Sequence, residues 1–141
     1  MISPTQRART ELKKRGWPCA IVEHWNPHAR IRQDLFGVFD LVALRPKRDF
    51  LFLNDEYPLG ESARDISADF TAAILGIQVT SASNRAARRE KILASPYLKP
   101  WCECGGRVEL WTFAKSGARG KPKRWTLTVE QIEPAQAEVA M

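Results

Sequence analysis

The sequence predicts an α/β protein with a mixed central sheet flanked by helices. Two near-continuous apolar runs, at residues 38–44 and 73–80, are typical of strands buried on both faces. Helical patterns stand at the amino end and directly after the second run, and two strand-like segments follow toward the carboxyl end. Helices interspersed with strands in this way favour a layered α/β architecture.

The first predicted element is a helix over about residues 4–15. Ser3 is suited to cap its amino end, with Pro4 at the first helical position and Gln6 reaching back to the cap. Gly16 takes up a left-handed conformation at low cost and is expected to end the helix.

The other elements follow from apolar patterning and from turn residues. They are strands at 17–25, 38–44 and 73–80, a helix over about 84–94, and a hairpin of 107–113 with 125–130, whose connection at 115–124 is glycine-rich and basic. We expect a single domain over residues 1–133 with an insertion at about 45–73, followed by a flexible tail at 134–141.

The composition points to a globular chain with a polyanionic partner. The 141 residues include 44% hydrophobic and 27% charged residues, and the net charge is +6. A basic balance favours nucleic acid. The chain shows neither a membrane-length apolar run nor a signal-peptide pattern, and three cysteines do not suggest a disulfide framework, so a cytoplasmic location without membrane contact is expected.

Polar residues interrupt both buried runs. Asp40 lies in the first, and Gln78 and Thr80 lie on one face of the second. If the two strands are neighbours, Asp40 and Gln78 converge on one point. Carboxylate, amide and backbone oxygens suit a hard cation such as Mg²⁺ or Mn²⁺, which activates water and offsets charge on a phosphate.

The pattern resembles that of the PD-(D/E)XK nucleases, most of all the small Holliday-junction-resolvase-like and restriction-endonuclease-like members. It consists of a helix with Glu11, a strand with Gly37-Val38-Phe39-Asp40, and Gln78-Val79-Thr80 leading into a basic helix. The resemblance covers roughly residues 5–115, apart from the insertion. It implies a restriction-endonuclease-like mixed sheet, metal-dependent hydrolysis of DNA phosphodiester bonds, and a homodimer, because related small nucleases often act as dimers.

The resemblance also implies roles for single residues. Asp40 matches the metal-binding aspartate, Gln78 takes the place of the acidic residue, and the carbonyl of Val79 would be a further metal ligand. Glu11 corresponds to the acidic residue of the first helix. Thr80 stands where the family has a lysine that positions the attacking water and stabilises the phosphate charge. The chain departs from the family at this position.

Several groups are candidates to compensate for these departures. Asp34, in a polar stretch before Asp40, is a candidate second metal-binding carboxylate. Arg85 and Arg88 are nearest Thr80, and Arg88 is the predicted catalytic cation. Basic residues predicted to contact nucleic acid are Arg85, Arg88, Arg89 and Lys91 on one arc of the helix, opposite Ala86, Ala87, Leu93 and Ala94, and Lys115, Arg119, Lys121 and Lys123 in the hairpin connection.

Structural interpretations stay open beside the functional ones. Asp40 could be a buried ion-pair residue, Gln78 an ordinary core amide, and the basic arc a solvated surface. Cys102 and Cys104 are too closely spaced for a usual zinc site, and a zinc centre is not expected. The predicted function is a metal-dependent DNA endonuclease. The alternatives are a catalytically inactive nucleic-acid-binding or assembly module on the same fold, and a protein adaptor.

Overall fold

The computed structural model describes residues 2–46 and 72–134. Its helices are α1 (Pro4–Lys14), α2 (Arg85–Leu93) and α3 (Leu98–Glu103). Its strands are β1 (Cys19–Ile21), β2 (His24–Asn26), β3 (Ile31–Gln33), β4 (Leu41–Arg45), β5 (Ala73–Ser81), β6 (Gly106–Ser116) and β7 (Arg124–Ile132).

Five strands form one mixed sheet in the order β1-β4-β5-β6-β7, and β2 pairs with β3 in a separate hairpin. Neighbours in the large sheet are antiparallel except β5 and β6, which are parallel. A parallel pair needs a crossover connection, and the segment with α2 and α3 supplies it. The predicted mixed sheet with helices is therefore confirmed, and both described ranges contribute strands to it.

The two faces of the sheet are covered by different helices, and side-chain alternation decides which residues meet which helix. On the α1 face, Ala8 and Leu12 pack against Leu41, Leu75 and Ile77. The opposite face, called the α2 face below, carries Phe39, Leu110 and Ile132, packed with Ile92 of α2 and Leu98 of α3. Because Asp40 and Gln78 adjoin Leu41 and Ile77 in sequence, they point to the α2 face.

The cap of α1 follows the sequence prediction. The backbone N–H of Gln6 donates to the Ser3 side-chain oxygen at 3.2 Å. Gly16 has a φ of 75° directly after the helix. This is the left-handed conformation that favours glycine.

Three local predictions were wrong. Residues 17–25 form two strands, because the chain leaves the sheet after Ile21 and turns into the β2–β3 hairpin. Asp40 directly precedes β4 and does not lie within it. On α2, Ile92 is the buried residue, while Ala86 and Ala87 are exposed. An isoleucine side chain buries more apolar area than an alanine side chain, so Ile92 sets the packed side of the helix.

Other predictions concern the least legible segments. The short helix α3 was not predicted. The hairpin of β6 and β7 is confirmed, with strands that extend beyond the predicted limits. Of the predicted insertion at 45–73, residues 47–71 lie outside the described residues, as do residues 135–141 of the predicted tail. None of the described helices is both long enough and apolar enough to cross a bilayer.

Candidate metal centre

Asp40 is fixed between β1 and β5 by its own backbone. Its N–H donates to the carbonyl of Ile77, and its carbonyl accepts from the N–H of Val22, both at 2.9 Å. Gly76 helps to place it, because a Cβ there would lie 2.5–2.7 Å from ring carbons of Phe39. The missing side chain lets the Phe39 ring lie against the sheet, and the next residue then projects its carboxylate over β5.

The carboxylate of Asp40 meets Gln78 as the sequence predicts. The Gln78 side-chain amide donates to Asp40 Oδ2 at 2.7 Å, and the backbone N–H of Val79 donates to the same oxygen at 2.8 Å. Asp40 is 6% exposed and Gln78 is 1% exposed. The predicted convergence of these two side chains is confirmed.

Gln78 has one unsatisfied polar atom. Its Oε1 is buried and has no hydrogen-bond partner in the described part of the chain. A buried amide oxygen without a partner costs about 1–3 kcal/mol, and native proteins rarely tolerate one without a reason. The nitrogen of the same amide group donates to Asp40, so this oxygen is close to the Asp40 carboxylate and is available to a cation bound beside it.

Two further carboxylates complete an acidic cluster. Oxygens of Glu23, Asp34 and Asp40 all lie within 4.8 Å of one another. Glu23 follows β1 and Asp34 follows β3, so the β2–β3 hairpin begins at one acid and ends at the other. Asp34, predicted as a second carboxylate, is therefore brought to Asp40.

The cluster strongly perturbs the titration of Asp40. Burial is the main cause that raises its pKa from 3.8 to about 7; the Asp34 charge, a hydrogen bond with Asp34, and the Glu23 charge raise it further, while the Val79 N–H lowers it. The surroundings of Asp40 therefore contain too little positive charge to stabilise its ionised form. A divalent ion placed among these oxygens would supply that charge.

Cations at the edge of the cluster do not reach Asp40 itself. Arg32 lies 3.2 Å from Glu23, and Lys91 lies 3.6 Å from Asp34. Both cations have exposed side chains, 72% for Arg32 and 43% for Lys91, so water screens these pairs and they are weak.

All the side-chain donors of the cluster are oxygens: three carboxylates and one amide carbonyl. Such a set suits Mg²⁺ or Mn²⁺ and does not suit soft metals. Comparisons with protein-family models, with curated proteins and with solved structures found no match. The chemistry of the centre is therefore inferred from its own donors and their surroundings.

Of three further residues predicted for the site, Glu11 lies elsewhere, while Thr80 and Val79 lie on β5, near Asp40. Glu11 is not in the cluster; its carboxylate lies 3.2 Å from Arg15, because α1 packs on the sheet face opposite to Asp40. Thr80 is 5% exposed and lies on the same face of β5 as Gln78. The Val79 N–H points to Asp40, and since the N–H and C=O of one strand residue share a direction, its carbonyl faces the same edge of β5.

The basic residues of α2 have three different surroundings. Arg85 and Arg89 bind Glu130 of β7, at 2.9 and 2.7 Å, which holds them away from the cluster. Lys91 faces the cluster. Arg88 is half-buried, one turn before Ile92 on the packed side of α2, and has no ion-pair partner in the ranges 2–46 and 72–134.

The basic hairpin connection projects from the same end of the sheet as the cluster. Thr80 lies opposite Thr112, so β6 continues four residues further to Ser116. The predicted contact residues Lys115, Arg119, Lys121 and Lys123 are exposed at or beyond this end. At roughly 3.3 Å per residue, the connection begins about 13 Å past the level of Thr80.

Glu23 is the member of the cluster that the sequence did not predict. An acid shortly after a short apolar segment was the available signal. The signal was hidden because Trp25 and His24 extend the strand pattern beyond Glu23, while the chain turns there and leaves the sheet.

Proposed function

We propose that this protein is a divalent-cation-dependent phosphodiesterase that acts on DNA, on the restriction-endonuclease-like plan. The observation that carries the proposal is the arrangement at Asp40. This buried carboxylate is bonded to Gln78, whose own carbonyl oxygen is unpartnered among the described residues, and two more carboxylates lie alongside. A purely structural core would pair the Gln78 oxygen with a donor and the buried Asp40 carboxylate with a cation, and among the described residues neither group has such a partner.

The topology supports the same plan. After α1 come the antiparallel β1, β4 and β5, then α2 and the parallel β6, with Asp40 at the start of β4 and Gln78 near the end of β5. This is the element order on which the resemblance to the PD-(D/E)XK nucleases rests. The β2–β3 hairpin is an addition to that order, and it brings Glu23 and Asp34 to the site.

The residues fit a bound Mg²⁺ or Mn²⁺. Asp40, Asp34, Glu23 and the Gln78 oxygen would hold it, with the Val79 carbonyl directed to the same edge. When bound, the ion supplies Lewis acidity for water and for the phosphate. The carboxylates fix its position, and the buried side of the cluster excludes bulk solvent from the reacting phosphate.

A lysine on α2 takes the role that Thr80 cannot fill. Lys91 lies 3.6 Å from Asp34 with its side chain partly exposed. A phosphate that enters beside Asp34 therefore meets this ammonium group. Lys91 therefore takes the role predicted for Arg85 or Arg88, because Arg85 is bound to Glu130 and Arg88 lies on the packed side of α2.

The reaction is hydrolysis of one ester bond. A water oxygen adds to phosphorus and loses a proton, one P–O ester bond breaks, and the leaving oxygen gains a proton. The products are a phosphate monoester and a hydroxyl group. The carboxylates of the cluster are positioned to accept the water proton, and Lys91 is positioned to stabilise the charge on the phosphate oxygens.

The test is nicking of supercoiled plasmid DNA with Mg²⁺ or Mn²⁺, together with a calorimetric titration of Mn²⁺. The wild type should bind the ion and nick the plasmid, and Asp40→Asn should do neither. Glu90→Gln makes the same chemical change at an exposed position of α2 and is the matched control. Absence of Mn²⁺ binding by the wild type would refute the metal centre, and binding without nicking would refute the enzymatic part.

One observation favours the second candidate, a catalytically inactive nucleic-acid-binding module. Thr80 is buried and uncharged where the family has its lysine, and Lys91 belongs to a different element. DNA binding that weakens with salt, without nicking in either ion, would establish this alternative.

A further inference from the structure

A cleft of about 530 Å³ opens directly beside the acidic cluster. Asp34 and Lys91 line it, together with Arg32 and His24 of the hairpin. The cleft therefore connects the candidate metal centre with neighbouring surface residues to which the proposed reaction assigns no role.

An exposed aromatic pair forms part of the wall of this cleft. Phe36 and Tyr97 stack with ring centroids 5.0 Å apart and planes inclined by 22°. Phe36 is 48% exposed and Tyr97 is 46% exposed. The edge of Trp101, 6.4 Å from Phe36, supports the pair from the protein side. We call Phe36 and Tyr97 the aromatic ledge.

The backbone holds Phe36 in this position at a cost. Its φ is 55°, which is unusual for a large side chain, and Gly37 follows with a φ of 70°. The turn closes through a hydrogen bond from the Gly37 N–H to the carbonyl of Asp34. The same turn thus carries a carboxylate of the cluster and an exposed ring two residues later, and such strain often marks functional sites.

The charges around the cleft fit an anion once the metal centre is filled. The three carboxylates exceed the two nearby cations, Arg32 and Lys91, by one negative charge. A bound divalent ion would make the net charge of this group of side chains and ion positive. A phosphate group would then be attracted to the position between the ledge and the cluster.

We propose that the aromatic ledge binds an unpaired nucleobase of the DNA strand whose phosphate is at the metal centre. A ring face stacks on any base, and a base inside a duplex already has both faces covered by its neighbours. The preferred substrate is accordingly a strand with an unpaired base at the cut: single-stranded, flapped or branched DNA. This inference rests on the proposed function and names its substrate class.

The experiment uses a single-stranded oligonucleotide with one 2-aminopurine. Ca²⁺ is present to fill the candidate metal centre while binding is measured. Stacking on the wild-type protein should quench the 2-aminopurine fluorescence. Phe36→Leu and Tyr97→Leu should each lose the quench and weaken single-strand binding by roughly 5- to 100-fold, with a much smaller effect on the matching duplex. Phe36→Tyr should keep the quench.

Trp125→Leu is the control, an exposed aromatic residue on β7 at the opposite edge of the sheet. Circular dichroism of every variant checks that the fold persists. Unchanged quenching and affinity in both ledge variants, or equal losses for single strand and duplex, would overturn the base site. A quench that depends on Phe36 in a protein that never nicks DNA would keep the base site and refute the nuclease.

Discussion

Replacement of Asp40 by asparagine should stabilise the metal-free protein at alkaline pH, although it removes the central residue of the candidate site. Burial and the neighbouring acids raise the pKa of Asp40 from 3.8 to about 7. Between these two values the folded protein holds a proton that the unfolded chain has released. The free energy of unfolding therefore falls as pH rises through this window, and the loss is complete above pH 7.

The size of the effect follows from the shift. A difference of about three pKa units corresponds to about 4 kcal/mol, of which neutral asparagine should recover about 2–4 kcal/mol at pH 8. The local hydrogen bonds can be kept. The asparagine oxygen, in the position of Asp40 Oδ2, accepts from both the Val79 N–H and the Gln78 side-chain amide.

The assay is urea denaturation of wild type and Asp40→Asn in EDTA, at intervals from pH 4 to pH 9. The difference in the free energy of unfolding should be near zero at pH 4 and grow to its full value by pH 8. Glu90→Gln should stay within about 0.5 kcal/mol of the wild type throughout. Mn²⁺ should then stabilise the wild type and leave Asp40→Asn unchanged. A variant less stable than the wild type at pH 8 would refute this electrostatic reasoning.

Three other substitutions test separate parts of the structure. Lys91→Met should reduce nicking at least 100-fold with little change in Mn²⁺ affinity, because the lysine acts on the phosphate and not on the ion; equal loss of both would contradict this role. Gly76→Ala should cost about 1–3 kcal/mol in thermal or urea unfolding, because the new methyl group overlaps the Phe39 ring; a neutral result would show that the ring moves freely. Glu109→Gln should cost about 3 kcal/mol, because buried Glu109 lies 3.5 Å from buried Arg45; circular dichroism melting measures it, and an unchanged melting temperature would refute it.

The sequence predicted the part of the site that depends on period-two alternation. Asp40 and Gln78 were identifiable because polar residues are costly in apolar runs, alternation placed Gln78 and Thr80 on one face, and Asp40 was expected to meet Gln78 if the two strands were neighbours. Glu11 was predicted for the site from element order alone. Which face of the sheet α1 covers depends on tertiary packing, and this packing put Glu11 beside Arg15 on the other side.

The partners of the basic residues were not predictable from the helix pattern. The arc of cations on α2 was visible in the sequence, but its division between Glu130 and Asp34 depends on the positions of β7 and the hairpin. Glu23 was missed for a similar reason, since a strand pattern does not show where the chain leaves a sheet. Long-range pairing decided each of these contacts.

The β2–β3 hairpin has a consequence for how such a protein can diversify. Its two ends carry Glu23 and Asp34, while its tip at residues 27–30 carries no member of the acidic cluster. The chain on either side of the hairpin is held by a hydrogen bond from the backbone N–H of Val22 to the carbonyl of Asp40. Tips of other lengths could therefore be exchanged while the acidic cluster at the ends of the hairpin keeps its geometry.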